Sequence, residues 1–471
     1  MSAPTSSRPR VRLPRPTRLQ RGGLVGGAVV FLLPLVFDVP GLDPAGERML
    51  AIFLLAIVFW VTEAIPLVGT AVLVILLQVL LLSEQAILPG SEEVLTSASV
   101  SAALADPVIV LFLGGFLIAD GAAKFGLDRN IAAVLMRPFA GDARRAVLGL
   151  MLITALLSMF VSNTATTATM FAVVIPILVA LPPGKARTGL ALSIPVAANV
   201  GGLGTPVGSP PNAIALGQLT AMGEQVSFLG WMLLAVPLTL VVLLFAWWFL
   251  TRRYLPVGLP IAFDLTASFD RSPAARLFYV VAGGTVALWL TEPLHGISSS
   301  TVGFLPVVAL LATQVMSGDD LKALQWPVLW LVAGGIALGA GIGASGLDVW
   351  LLGLVAWETF PVTAVIVLLA VVGLGLSTVI SNSATANLVV PLAISLATGI
   401  GTDPTAIAVV VALACSLAMA LPISTPPNAI AYATGEVQTK EMATTGIVIG
   451  VVGVGLLAFA LPPLWNLLGL V

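Results

Sequence analysis

The sequence predicts an all-α polytopic membrane protein of about eleven transmembrane helices, in two inverted five-span repeats that each carry a re-entrant hairpin and a broken helix. Three observations predict it. Hydrophobic residues make up 58% of the 471 residues and charged residues only 9%, where a soluble domain has roughly 25% charged. Five short sequence blocks occur twice, in the same order. Arginine and lysine gather in a few of the loops. Mean hydropathy is +1.09, and apolar runs of about 20 residues, enough to cross a bilayer core, recur from residue 24 onward. These runs are continuous rather than alternating, which excludes a transmembrane β-barrel.

The basic tail comes first. Residues 1–22 hold Arg8, Arg10, Arg12, Arg15, Arg18 and Arg21 and no acid, which places the N-terminus in the cytoplasm by the positive-inside rule. No small-residue cleavage site follows the apolar run 24–37, so an uncleaved first span is expected rather than a signal peptide. Further spans are expected at about 48–62, 65–83 and 106–123, then a broken stretch 146–180, a broken stretch 188–220, and 228–250. A polar linker covers 251–276. The series resumes at 277–292, 298–316 and 326–344, with broken stretches 361–400 and 404–435 and a last span 443–468. The single cysteine, Cys415, allows no intrachain disulfide and reads as a packed small residue.

The two series are one pattern used twice. "WVTEAIPL" at 60–67 returns as "WLTEPLHG" at 289–296, and "PVIVLFLGG" at 107–115 as "PVLWLVAGG" at 327–335. "FGLD" at 125–128 returns as "SGLD" at 345–348, and "LSMFVSNTAT" at 157–166 as "LSTVISNSAT" at 376–385. "GTPVGSPPNAIA" at 204–215 returns as "ALPISTPPNAIA" at 420–431. Duplicated halves of this kind build secondary transporters.

Charge decides the relative orientation of the halves. The segment 124–145 carries Lys124, Arg129, Arg137, Arg144 and Arg145 and should be cytoplasmic, while its counterpart 345–360 has Asp348 and Glu358 and no base. The linker 251–276 has Arg252, Arg253, Arg271 and Arg276, and the loop 84–105 has Glu84, Glu92 and Glu93 and no base. One count satisfies all four: the stretches 146–180 and 361–400 enter and leave on the same side, as hairpins. That gives a first span plus a first repeat over 23–250, a second inverted repeat over 277–471, and an external C-terminus.

Each half contributes two polar breaks: Ser162-Asn163-Thr164 and Gly208-Ser209-Pro210-Pro211-Asn212, then Ser381-Asn382-Ser383 and Ser424-Thr425-Pro426-Pro427-Asn428. Proline breaks helices and frees carbonyls on the preceding turn. Such backbone is tolerated at membrane depth only when buried in protein or lining a watery cavity. Carbonyls with Ser, Thr and Asn oxygens suit a hard cation such as Na⁺. The N-termini of half-helices resuming near Thr164, Ser383, Asn212 and Asn428 should present free N–H groups to an anion. Asn163 and Asn382 can serve both ligands, carbonyl to cation and amide to anion. Outside Asp403, no Lys, Arg, Asp or Glu occurs in 361–435, and the 146–180 stretch has none. A dianion would then depend on co-bound cations, and proton coupling through an intramembrane carboxylate or histidine is disfavoured. Elsewhere, Asp120 and Lys124 are expected to pair at i,i+4, the pairs Gly114-Gly115 and Gly334-Gly335 to mediate close packing, Glu63 and Glu292 to be structural, and His295 to be interfacial.

The paired Ser-Asn-Thr motifs, the Pro-Pro-Asn loops and "WVTEAIPL" resemble the divalent anion:sodium symporter family, over nearly the whole chain beyond the tail. The resemblance implies a homodimer in a lipid bilayer, the bacterial inner membrane, with a scaffold of the first four spans and their counterparts. A transport domain of hairpins and broken helices would move as an elevator. It implies one Na⁺ site at Ser158, Ser162, Asn163 and Gly208 and another at Ser377, Ser381, Asn382 and Ser424. It implies substrate contacts from Asn163, Thr164, Ser209, Asn382, Ser383, Thr425 and Pro426. Ser383 stands where the family's second motif commonly has Thr, keeping the hydroxyl and losing a methyl. The reading is Na⁺-coupled uptake of a C4 dicarboxylate such as succinate, fumarate or malate, with no organic cofactor, no enzymatic activity and no nucleic-acid partner. Sodium-independent exchange and Na⁺-coupled citrate or sulfate carriage stay open. An anion channel would need a ring of charges or carbonyls that the sequence does not display.

Overall fold

Apolar side chains cannot satisfy a backbone in hydrocarbon, so the chain folds as helices that close their own hydrogen bonds. The computed structural model describes residues 17–88, 94–256, 258–261 and 267–470, apart from the side chain of Glu358. Arg8, Arg10, Arg12 and Arg15 of the basic tail, with Glu92 and Glu93, lie outside the described residues.

The first half opens with α1 (Arg18–Val36), α2 (Pro44–Thr62), α3 (Leu67–Leu82), the short α4 (Ser97–Ala102), α5 (Pro107–Lys124) and α6 (Leu127–Met136). Two helices follow with a four-residue break between them, α7 (Ala143–Ser158) and α8 (Asn163–Ala180). A second interrupted pair is α9 (Lys185–Gly201) and α10 (Pro210–Ala221), and α11 (Phe228–Tyr254) closes the half. The second half runs through α12 (Pro273–Leu290), α13 (Glu292–His295), α14 (Ser299–Val302), α15 (Phe304–Ala312), α16 (Gly318–Ala323), α17 (Trp326–Ala344) and α18 (Leu347–Gly353). Its interrupted pairs are α19 (Val362–Val379) with α20 (Asn382–Gly399) and α21 (Pro404–Ser416) with α22 (Pro426–Ala433), before α23 (Thr439–Phe459) and α24 (Leu461–Leu468).

Several expected spans are divided. The 298–316 run breaks at Gly303, whose backbone packs against α5 so tightly that a Cβ on Gly114 would lie 2.4 Å from Gly303 O. The 443–468 run breaks at Ala460, ahead of Pro462 and Pro463. The linker is shorter than 251–276, because α11 runs on to Tyr254 and α12 starts at Pro273. The helical fold also contains one tiny antiparallel ribbon, β1 (Gly141–Asp142) against β2 (Pro260–Ile261). By length and apolarity alone, nine helices among the described residues could cross a bilayer. Those nine include α8 and α19 but not α3 or the interrupted α9–α10 and α21–α22.

Polar contacts between distant loops sort the chain ends of the helices into two layers. The ribbon joins the segments 124–145 and 251–276, both read as cytoplasmic. Lys124 reaches Asp320 at 2.7 Å, and Arg187 reaches Glu436 at 3.1 Å. In the opposite layer Trp350 Nε1 donates to Pro40 O at 3.1 Å, and the Phe228 N–H donates to Glu292 at 3.3 Å. Each contact joins segments that the eleven-span count assigns to one side.

The Lys124–Asp320 pair corrects the sequence expectation. Lys124 does not pair with Asp120 one turn away; its ammonium also donates to Val315 O at 3.2 Å. Asp320 stands outside the spans, and the Lys124 hydrogen bond, with help from the Ser317 N–H, holds its carboxyl down at about 2. Glu63 is a left-handed helix cap at φ 46°, and Glu292 serves the Phe228 N–H. His295 accepts the Ile297 N–H at Nδ1 and lies 2.9 Å from Leu288 O through Nε2. That pairing fixes the Nε2–H tautomer. Cys415 is fully buried. Cβ atoms on Gly115, Gly334 and Gly335 would meet Val207, Ala71 and Asn387 at 3.1, 2.4 and 1.8 Å.

The four interrupted pairs interlock. α10 of the first half packs on α20 and α21 of the second, and α22 packs on α8 and α9. The four breaks therefore meet at the centre of the molecule.

Candidate functional site

A cavity of about 320 Å³ lies where the breaks meet. All seven residues expected to contact substrate line it: Asn163, Thr164, Ser209, Asn382, Ser383, Thr425 and Pro426. So do Ser162, Gly208, Ser381 and Ser424 from the two expected cation sets, while Ser158 and Ser377 are fully buried behind it. Among the described residues, no Asp, Glu, Lys, Arg or His lines the cavity. Its two walls differ. The broken helices supply hydroxyls, amides and backbone; the opposite wall is Leu67, Val68, Phe112, Phe116, Pro327, Val328 and Leu331, with Gln325 as its one polar side chain.

Each hairpin tip is built by a serine cap. Ser162 Oγ accepts the Ala165 N–H at 3.2 Å and Ser381 Oγ accepts the Ala384 N–H at 3.2 Å, which starts α8 and α20. The N–H groups of Asn163 and Thr164, and of Asn382 and Ser383, precede the first intrahelical bond and have no partner within their helix. Each tip is also tied to its broken helix by a hydroxyl. Thr205 Oγ1 donates to Met159 O, and Ser424 Oγ donates to Thr378 O, the repeat-matched carbonyl, at 2.9 Å.

The Pro-Pro ends behave otherwise than expected. Pro210, Pro211, Pro426 and Pro427 have no N–H. The Asn212 N–H is taken by Ser209 O at 3.1 Å, and the Asn428 N–H by Thr425 Oγ1 at 3.4 Å. The half-helices α10 and α22 therefore bring dipoles and hydroxyls to the cavity but no free N–H in their first turn up to these asparagines. The backbone N–H groups left without a helical partner beside the cavity are those at the starts of α8 and α20. Asn212 and Asn428 instead pin the unwound loops. Asn212 Nδ2 donates to Gly202 O at 2.9 Å and Thr205 O at 2.8 Å; Asn428 Nδ2 donates to Met419 O at 2.7 Å and Leu421 O at 3.0 Å.

The first expected cation set is a knot of oxygens. The end of the Asn163 side chain lies 3.2 Å from Ala198 O, 3.2 Å from Gly208 O and 2.5 Å from Ser158 Oγ. Ser158 Oγ donates to Ala198 O at 2.8 Å. Beside the two carbonyls and the Ser158 hydroxyl, the Asn163 amide fits with its NH₂ turned inward; turned the other way, the same atoms offer a cation four oxygens. Asn163 thus faces this knot with one end of its amide while the residue also lines the cavity. A Cβ on Gly202 would lie 2.6 Å from Asn163 Oδ1, so glycine is needed there for the loop to close on the amide. In the second set, Ser377 Oγ and Asn382 Oδ1 are buried with no hydrogen-bond partner.

Sequence reasoning missed four contributors. Ala198 acts through its carbonyl, which no residue type signals. Asn199 Nδ2 donates across the halves to Thr425 Oγ1 at 3.2 Å and Asn428 Oδ1 at 3.1 Å, and Ser416 Oγ meets Ser209 Oγ at 2.9 Å. Asn199 was legible as a lone amide in an apolar helix just before a Gly-Gly break. Gln325 reaches the cavity from the opposite wall, beside a tryptophan and a proline that gave no cue.

Apolar helices enclosing an uncharged, oxygen-rich cavity where four helix breaks meet define a polytopic membrane carrier. A family profile described as the sodium:sulfate symporter transmembrane region matches residues 23–471, and the chain belongs to that family, the divalent anion:sodium symporters. It is 31% identical to the sodium-dependent dicarboxylate transporter SdcS of Staphylococcus saprophyticus, over 94% of this chain and 91% of that protein. It is 29% identical to the SdcS of Staphylococcus aureus, over 91% of this chain and 88% of that one. Two solved structures share the fold: the YdaH transporter of Alcanivorax borkumensis (TM-score 0.56, 16% identity, 89% of this chain and 98% of that one) and MtrF of Neisseria gonorrhoeae (0.54, 12%, 85% and 96%).

Proposed function

We propose that this protein imports C4 dicarboxylates such as succinate, fumarate or malate, coupled to Na⁺. The observation that carries the reading is the cavity: every expected substrate contact lines it, no charged side chain among the described residues does, and an oxygen cluster flanks it in the first half. Placing a dianion there without a counter-charge is costly. Na⁺ at Asn163, Ser158, Ser162, Gly208 and Ala198 O, and at Asn382, Ser377, Ser381 and Ser424, supplies that charge. Each ligand then raises the affinity of the other by the same factor. The carboxylates are held by the first-turn N–H groups of α8 and α20 and by Thr164, Ser209, Ser383 and Thr425, with Pro426 in contact. The SdcS names support the dicarboxylate over citrate or sulfate.

The contrast between the walls supports an elevator. A polar cradle made of both hairpins and both broken helices can carry its cargo past a largely apolar face on α3, α5 and α17, releasing the buried bonds from Gln218 Nε2 to Gly335 O at 2.7 Å and from Asn387 Nδ2 to Leu331 O at 3.0 Å as it moves. The reciprocal packing of α10 on α20 and α22 on α8 supports two inverted repeats, with the boundaries given above. The same-side loop contacts support the eleven-span count, an internal N-terminus and an external C-terminus. The remaining parts of the reading are a homodimer, surrounding lipid, and the bacterial inner membrane.

The test is uptake of labelled succinate into proteoliposomes. An inward Na⁺ gradient should drive accumulation in empty vesicles, with citrate and sulfate as weaker competitors. Uptake that needs internal dicarboxylate and ignores Na⁺ would establish an exchanger instead.

A further inference from the structure

Resting on the sodium-coupled reading above, we infer that Asn199 is a positioning residue that links the first-half cation cluster to the second-half side of the substrate cradle. Asn199 follows Ala198, whose carbonyl belongs to the first oxygen knot. Its side chain is 2% exposed and crosses to the other repeat, where Nδ2 donates one hydrogen to Thr425 Oγ1 and the other to Asn428 Oδ1. Asn428 in turn holds the unwound loop through Met419 O and Leu421 O, and its own N–H rests on Thr425 Oγ1. One amide therefore touches both the second-half hydroxyl that faces the cavity and the residue that shapes the loop beneath it.

Both hydrogens of Asn199 are committed within the protein, so it has no donor left for a substrate carboxylate. The repeat does not require an amide here either: at the offset of 216 that aligns the Pro-Pro-Asn loops, its counterpart is Cys415. Burying an amide is costly unless both ends are placed, and this one is placed where a bond spans the two halves. A cation drawn to Ala198 O fixes the last turn of α9. That turn carries the Asn199 amide, which fixes the direction of the Thr425 hydroxyl. The Ser209–Ser416 hydroxyl pair crosses in the other direction at 2.9 Å.

The experiment uses the full chain in proteoliposomes, wild type, Asn199→Ala and Asn199→Ser, with succinate half-saturation measured at low and at high Na⁺. In wild type, high Na⁺ should tighten succinate. In both variants that Na⁺-dependent tightening should shrink by about 3-fold or more. In a Ser158→Ala background, adding Asn199→Ala should cost less than it does alone. Equal weakening at both Na⁺ levels, or additive losses, would overturn the link and leave Asn199 a packing residue. So would loss of folding in both variants, followed as the thermal melt of the purified protein. If wild-type uptake shows no Na⁺ requirement, the sodium-coupled reading itself fails, and the Asn199 result is then not what refutes it.

Discussion

In the first half, Ser158, Asn163, Ala198 O and Gly208 O satisfy one another when the Asn163 amide faces inward. In the second half, the matched Asn382 keeps a buried Oδ1 with no partner, Ser377 Oγ has only the Cys415 thiol beside it, and Ser424 is occupied with Thr378 O. The same motif thus stands self-satisfied in one repeat and unsatisfied in the other. The difference lies in reach. In the first half the Ala198 carbonyl of α9, which also accepts the Gly202 N–H at 3.0 Å, falls beside the Ser-Asn break; in the second the Cys415 thiol is the near neighbour of Ser377. A motif repeated in sequence supplies the same ligand types, but the neighbouring backbone decides how they are paired before an ion arrives.

The largest effects test whether both regions serve one cavity. Asn163→Ala and Asn382→Ala should each reduce Na⁺-dependent succinate uptake by about 10- to 100-fold, the loss of a charge-assisted contact, with the protein still eluting as a folded species. If only one of the two silences uptake, the regions do not share a task.

The next effect sharpens the contrast directly. Ser158→Ala removes a satisfied hydroxyl and should destabilise the Na⁺-free protein by about 1 kcal/mol. Ser377→Ala removes an orphaned one and should leave the Na⁺-free melt unchanged or raise it. Both should raise the Na⁺ concentration needed for half-maximal uptake. Melting curves with and without Na⁺ separate the two, and equal destabilisation would erase the distinction.

A milder change probes the cradle. Ser383→Thr restores the methyl common in the related motif and should alter the succinate-to-citrate uptake ratio by less than about 10-fold, the scale of one methylene in a pocket. A dead variant would mean the half-buried Ser383 site has no room. The smallest effect lies far from the cavity. Asp320 is held at about 2 by Lys124, so its contribution is complete above the ordinary carboxylate range and is lost as pH falls toward 2. Lys124→Ala should let that carboxyl rise toward its usual value, moving acid unfolding to higher pH. At neutral pH it should cost less than about 1 kcal/mol, since the pair is partly exposed.

The fold was legible because a bilayer leaves few choices. Continuous apolar runs force helices, and Pro-Pro and Ser-Asn pairs at membrane depth force breaks, so the four helix interruptions fall at the expected motifs. The same reasoning overreached at Asp120 and Lys124, where i,i+4 spacing was available but Asp320 came closer. It overreached again at Asn212 and Asn428, whose N–H groups are consumed by their own turns.

The sequence by itself determined a membrane-embedded helical protein and the four polar breaks, because residue type and membrane burial fix those locally, and the resemblance of its motifs to a family pointed to the seven residues that line the central cavity. Only the tertiary structure decided that Ala198 O joins the first oxygen knot, that Asn199 crosses to Thr425 and Asn428, and that a largely apolar wall from α3, α5 and α17 closes the cavity. Those features depend on backbone carbonyls and on contacts between residues more than two hundred positions apart. No local pattern of side chains encodes either one.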